Sequence, residues 1–146
     1  MSKKILIALS LFGVWIIFVT YLSIHASAVP YEPEIKLVAG YTTAYTAKPD
    51  AKTCTGDTVR PGICGGYGPY IGKTIILYKR LPDNTIGECL GIFECLDTGT
   101  GTKSFQEGKL IDVYQPTKED VQKWADLTYE DGCQGKVWIQ VVDAEG

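Results

Sequence analysis

Apolar and polar residues alternate along the chain in short runs separated by glycine, proline and asparagine, the rhythm of strands and turns. Leu37 to Ala47 alternates loosely and is rich in Tyr and Thr, which suits a strand. Residues 48–72 read as loop, with Pro61, Gly62, Gly65, Gly66, Gly68, Pro69 and Gly72 breaking any period. Thr74 to Tyr78 is a short apolar strand, Leu81-Pro82-Asp83-Asn84 a turn, and Ile86 to Leu96 a returning strand kinked near Gly91. After a loop at 98–108, Lys109 to Tyr114 forms the next strand. Lys136 to Val142 closes the domain, with Val137, Ile139 and Val141 on one face. A single helix is expected over 117–127: Thr117 can cap it, Asp120 stands three positions on, and Val121, Trp124 and Ala125 share a side. Short strands, long glycine-rich loops and one short helix predict an all-β protein, a closed barrel of about six strands, without repeats or a second folded domain.

The first 28 residues follow a different pattern. Lys3 and Lys4 precede twenty uncharged residues, Ile5 to Ile24, and the stretch ends in His25-Ala26-Ser27-Ala28. A positive start, an apolar run and small residues at a cleavage spacing describe an export signal, cut after Ala28. An uncleaved single-pass anchor is the alternative, since twenty apolar residues can span a bilayer. The chain then divides into a signal or anchor at 1–28, a linker at 29–36 with Pro30 and Pro33, and the barrel at 37–146. The expected location is secreted or in the cell envelope, on the outer face of the cytoplasmic membrane, touching membrane only through the N-terminal segment.

Charge and side-chain inventory narrow the chemistry. The net charge is −3, and without Lys3 and Lys4 the remainder carries −5, with no dense basic patch for nucleic acid. The one histidine, His25, belongs to the export segment. A histidine-based metal site or Ser-His-Asp triad is therefore excluded from residues 29–146, and no metal or cofactor is called for. The cysteines, at 54, 64, 89, 95 and 133, include no Cys-x-x-Cys pair, so zinc and thioredoxin-type readings are weak. Export makes disulfides plausible. Cys54 and Cys64 could staple the loop between them, whereas Cys89 and Cys95 on one extended strand would stand about 20 Å apart. With five thiols, one must stay single within the monomer.

Catalysis, if any, then falls to carboxylates, hydroxyls or thiols. Asp97 ends one apolar run, followed by Thr98-Gly99, and Asp112 sits inside another, Leu110-Ile111-Asp112-Val113-Tyr114. Desolvation there is costly and raises a carboxyl pKa, as a general acid requires. Asp97 before Thr-Gly also has an ordinary reading as turn chemistry, with Thr98 orienting it. Asp112, mid-strand on a face with Leu110 and Tyr114, has no such excuse.

Asp97-Thr98-Gly99, Ile111-Asp112-Val113-Tyr114 and the helical Lys123-Trp124 together resemble the three-aspartate (3D) domain family of bacterial cell-wall proteins. Upstream, Thr53-Cys54-Thr55-Gly56, Val59-Arg60-Pro61-Gly62 and Ile71-Gly72-Lys73-Thr74 follow that family's order. The resemblance covers roughly Ala39 to Ala125. It implies a six-stranded double-psi β-barrel, related to the barrel of membrane-bound lytic transglycosylase A and to expansin- and barwin-like barrels. It also implies peptidoglycan as partner, with Asp112 as the acid/base of a lytic transglycosylase and Asp97 as its electrostatic neighbour. Thr98, Gly99, Tyr67 and Tyr114 would contact substrate, and Tyr45 and Tyr70 could line the same groove. The sequence departs from the pattern where the first aspartate should stand: Gly65-Gly66-Tyr67-Gly68 occupies that place, and no acid occurs between Asp57 and Asp83. The loop to Asp112 is longer than usual and has Glu107-Gly108-Lys109 near the position of the family's Ile-Lys-Gly. Three alternatives stand beside this reading: a non-catalytic polysaccharide-binding barrel, an aspartic-protease-like dimer built on Asp97-Thr98-Gly99, and a structural envelope protein cross-linked through its odd cysteine.

Overall fold

The computed structural model describes residues 35–99 and 102–143. The expected export segment and nearly all of the expected linker lie outside the described residues. Six strands, β1 Leu37–Tyr45, β2 Ile63–Gly66, β3 Thr74–Arg80, β4 Ile86–Thr98, β5 Leu110–Tyr114 and β6 Lys136–Val142, close into a barrel in the order β1-β5-β2-β4-β3-β6. Two neighbouring pairs, β1 with β5 and β2 with β4, run parallel, and the other four pairs are antiparallel. A one-turn helix, α1 Lys103–Gln106, precedes β5, and α2 Lys118–Tyr129 follows it.

Alternation sorts the side chains. Ile75 and Leu77 of β3, Phe93 and Cys95 of β4, Ile111 and Val113 of β5, and Val137 and Ile139 of β6 are buried in one core. Trp124 of α2 joins them, edge-on to Phe93 with ring centroids 5.7 Å apart. The expected cap forms: Asp120 N–H donates to Thr117 Oγ1 at 3.1 Å. The predicted kink is a bulge, since Leu77 pairs with Gly91 and Tyr78 with Cys89, leaving Leu90 unpaired. A second cluster, Val59, Ile63 and Tyr114 with Tyr45, Ala51 and Leu96, lies on the other face of the wall under the loop that leads into β2.

Two elements fall where loop was expected. β2 lies in the glycine-rich stretch 48–72, held between β4 and β5, and α1 lies within 98–108. The disulfide expectation is also corrected, because all five cysteines are free thiols. Cys64 faces the core beside its register partner Cys95, while Cys54 rides on the exposed loop with Sγ 3.4 Å from the Leu96 carbonyl. The two would-be partners therefore sit on opposite faces of the wall.

One ion cluster, a buried lysine among three exposed carboxylates, ties the barrel to the turn after α2. Lys79, 3% exposed, places Nζ 2.7 Å from Glu88, 3.2 Å from Glu130 and 3.6 Å from Asp131. Those acids, Glu88 foremost, hold its ammonium above the ordinary lysine value, so it stays charged wherever the fold persists. Lys79→Met keeps the buried stem but leaves three carboxylates facing one another. Its thermal midpoint is expected to fall by about 5–10 °C, with part of that loss recovered at high salt. A midpoint equal to wild type would show that the cluster adds nothing.

Candidate active site

The site is built around the glycine end of β2. Gly65 of β2 pairs with Asp97 of β4 on one side and Asp112 of β5 on the other. The two acids thus stand two strands apart, about 10 Å between backbones by sheet spacing. A methyl at Gly65 would touch the Asp97 and Thr98 backbone at 3.7 Å, an ordinary contact, and Gly65 lines the cleft between the two acids.

Asp97 is fixed by backbone donors. Its Oδ1 accepts from its neighbour Thr98 N–H at 2.9 Å and from Cys54 N–H at 3.1 Å. Cys54 is presented by a turn closed on itself: Thr53 N–H donates to the Asp57 carbonyl at 2.9 Å, and Gly56 N–H to the Thr53 carbonyl at 3.0 Å. The Thr-Cys-Thr-Gly segment is therefore a clamp on Asp97.

Asp112 is held differently. Thr43, its register partner on parallel β1, donates from Oγ1 to Asp112 Oδ1 at 2.8 Å. Ile111 and Val113 point into the core, so Asp112 faces outward on the side of Tyr114 and is half-buried there. Burial pushes its pKa up, the Thr43 hydrogen bond opposes this, and the charge of Asp97 raises it again. The net direction, upward, is the one a general acid needs.

Asp97, Thr98, Gly99 and Asp112 share one cleft of about 270 Å³ with Gly65 and Tyr45. Four of the six residues expected at the site are thereby brought together. A fifth, Tyr67, lines an adjoining depression of about 240 Å³ with Gly66, Pro69 and Gln106, which shares Thr98 and Gly99 with the cleft. Tyr67 is steadied edge-on by Tyr70 at 5.5 Å, and Tyr70 donates to the Gly108 carbonyl at 3.3 Å. Tyr114 is the exception. It is 5% exposed, packs edge-on against Tyr45 at 5.6 Å, and lines neither depression.

Thr43 and Tyr45 complete the site and were not singled out as acid partners by sequence. The contact of Thr43 with Asp112 spans 69 positions and exists only because β1 and β5 run parallel in register. Tyr45 was legible only as one of several groove tyrosines. Among the described residues no three His, Cys, Asp or Glu side chains converge to hold a metal ion. The arrangement can donate and accept protons at carboxyls beside a groove with aromatic and hydroxyl walls.

No protein-family model matches the chain, and no curated protein is significantly similar to it in sequence. Two solved structures of the E. coli lytic transglycosylase MltA, one of them a variant in an apo form, are similar at a TM-score of 0.38, with 18% and 17% identity. The likeness covers 65% of this chain and 28% of MltA. At that level it carries no assignment of activity.

Proposed function

We propose that this barrel is an exported peptidoglycan lytic transglycosylase of double-psi topology, with Asp112 as its acid and base. The observation that carries the reading is the pairing of a desolvated Asp112 with a backbone-clamped Asp97 across Gly65 in one cleft. Its motif order resembles that of the three-aspartate domain. In the proposed reaction, protonated Asp112 gives its proton to the glycosidic oxygen that links N-acetylmuramic acid to N-acetylglucosamine. The C1–O bond breaks and the glucosamine leaves as an alcohol. The muramic 6-hydroxyl then bonds to C1, and its proton returns to the Asp112 carboxylate. No water is consumed, so one carboxyl can serve both halves, unlike the two-carboxylate scheme of ordinary glycosidases. Burial first, and then the negative field of Asp97, itself held as an acceptor of two backbone N–H groups, raise the pKa of Asp112. Tyr67 and Gln106 beside Thr98 and Gly99 would hold a neighbouring sugar.

Purified protein incubated with peptidoglycan is expected to release soluble muropeptides ending in 1,6-anhydro-muramic acid, each one water lighter than its hydrolysed counterpart by mass spectrometry. Ordinary reducing ends would mean a hydrolase and overturn the single-carboxyl scheme.

The second reading is a polysaccharide-binding barrel without cleavage. It is favoured by Gly65, which stands between the two acids near the place of the family's first aspartate, so the cleft holds two carboxylates. Retention of polymer with no released product would select it. The protease reading has less support, since the second acid facing Asp97 comes from the same chain and no second copy is needed.

A further inference from the structure

We infer that Tyr45 is a positioning residue for Asp112, its phenol hydroxyl donating a hydrogen bond to the carboxylate that Asp112 becomes after it gives up its proton. The inference rests on the proposed role of Asp112. Its first ground is an unexplained group: Tyr45 Oη is sealed from solvent and has no hydrogen-bond partner. A buried hydroxyl left unpaired costs stability, and phenylalanine would fill the same space without that cost.

The second ground is placement. Tyr45 lines the same cleft as Asp97 and Asp112. Its ring packs in the outer cluster, edge-on to Tyr114 at 5.6 Å, so the phenol is held in one place at the cleft wall. Its backbone carbonyl also accepts from Gln115 N–H at 2.8 Å, which secures the end of β1 to the chain leaving β5. The titratable groups near the phenol are Asp97 on β4, Asp112 and Tyr114 on β5, and, from the core side of the wall, Cys64 on β2. Burial, then the charges of Asp97 and Asp112, keep the phenol protonated far above the ordinary tyrosine range. It is therefore always a donor.

The third ground is what each acid still lacks. Asp97 already accepts two backbone N–H groups on Oδ1, whereas Asp112 accepts only the Thr43 hydroxyl on its Oδ1. Among the described residues neither Oδ2 has a donor. While protonated, a form that burial favours to higher pH than in an ordinary aspartate, Asp112 makes no demand on Tyr45. Once ionised it can accept a second donor, and the unpartnered phenol of the shared cleft would be that donor.

Tyr45→Phe in the purified full-length chain tests this. The Asp112 carboxyl, followed by carbon-detected NMR during a pH titration, is expected to titrate at higher pH in the variant than in wild type. The thermal midpoint should be unchanged or raised. Release of anhydro-muropeptides should fall about tenfold, the value of one hydrogen bond to a charged group. The alkaline limb of the pH–rate profile should move to higher pH as the plateau drops. A purely structural tyrosine would move none of the titration readouts. An unchanged or lowered Asp112 titration, or a shift confined to Asp97, overturns the inference. Because the titration needs no turnover, a protein that cleaves nothing removes the enzyme reading and still decides the role of Tyr45.

Discussion

Asp112→Asn is expected to reduce release of anhydro-muropeptides by about 10²–10⁴-fold while retention on insoluble peptidoglycan is unchanged. Asparagine keeps the shape of the side chain and an oxygen that can accept from Thr43 Oγ1, now 2.8 Å away. What it removes is the titrating proton. Stability provides the internal control. The folded-state pKa of Asp112 is raised, burial first among the causes, so the native chain binds its proton more tightly than the unfolded chain does. Stability from this residue is therefore greatest below the unfolded carboxylate value of about 4. It falls as pH climbs through the raised native value, and above that the penalty is constant. Asparagine does not titrate and escapes the penalty, so the variant should melt higher than wild type at neutral pH. That advantage should vanish in acid. A variant both inactive and more stable cannot owe its inactivity to unfolding. Wild-type product yield, or a lowered melting point at neutral pH, would sink the assignment.

The legible part of this fold was the part with a period. Five strands announce themselves through alternation, and α2 through Thr117 and Asp120, because each of those signals is local. β2 could not be read. Ile63-Cys64-Gly65-Gly66 has no alternation and two glycines, and it is a strand because β4 and β5 both pair with it. The acids were legible as anomalies, since Asp112 interrupts an apolar strand and Asp97 ends one. Their partners were not, because Thr43 and Cys54 reach them across 69 and 43 positions. The same limit explains Tyr67 and Tyr114. Composition treats them alike, while the structure sends one to a groove and buries the other under a loop. The cysteine spacing was also misleading, because a ten-residue separation says nothing about which face of a barrel wall each thiol occupies.

Gly40→Ala is expected to lower stability by about 1–3 kcal/mol, a fall of roughly 5–15 °C in thermal midpoint. Gly40 lies in the middle of β1, pairs with Val137 on β6, and precedes Tyr41, whose N–H donates to the Lys109 carbonyl at 2.8 Å. A methyl there would sit 2.6 Å from that same carbonyl oxygen and 2.5 Å from Ile139 Cδ1. The isoleucine tip can turn aside. The carbonyl can retreat only by loosening β1 from β5, the seam that carries Thr43 to Asp112. Glycine is needed here for space and not for backbone conformation, which is the meaning of a glycine inside an otherwise alternating strand. Gly68→Ala is the matched control, since a methyl at that position meets nothing within 4 Å. Thermal unfolding followed by circular dichroism should separate the two clearly. Because the seam holds the acid, Gly40→Ala should also weaken the Thr43–Asp112 bond and raise the Asp112 titration, a coupling between packing and chemistry that Gly68→Ala would lack. Equal melting points for the two variants would mean that β1 accommodates the methyl without parting from β5, and that the seam is looser than its distances state.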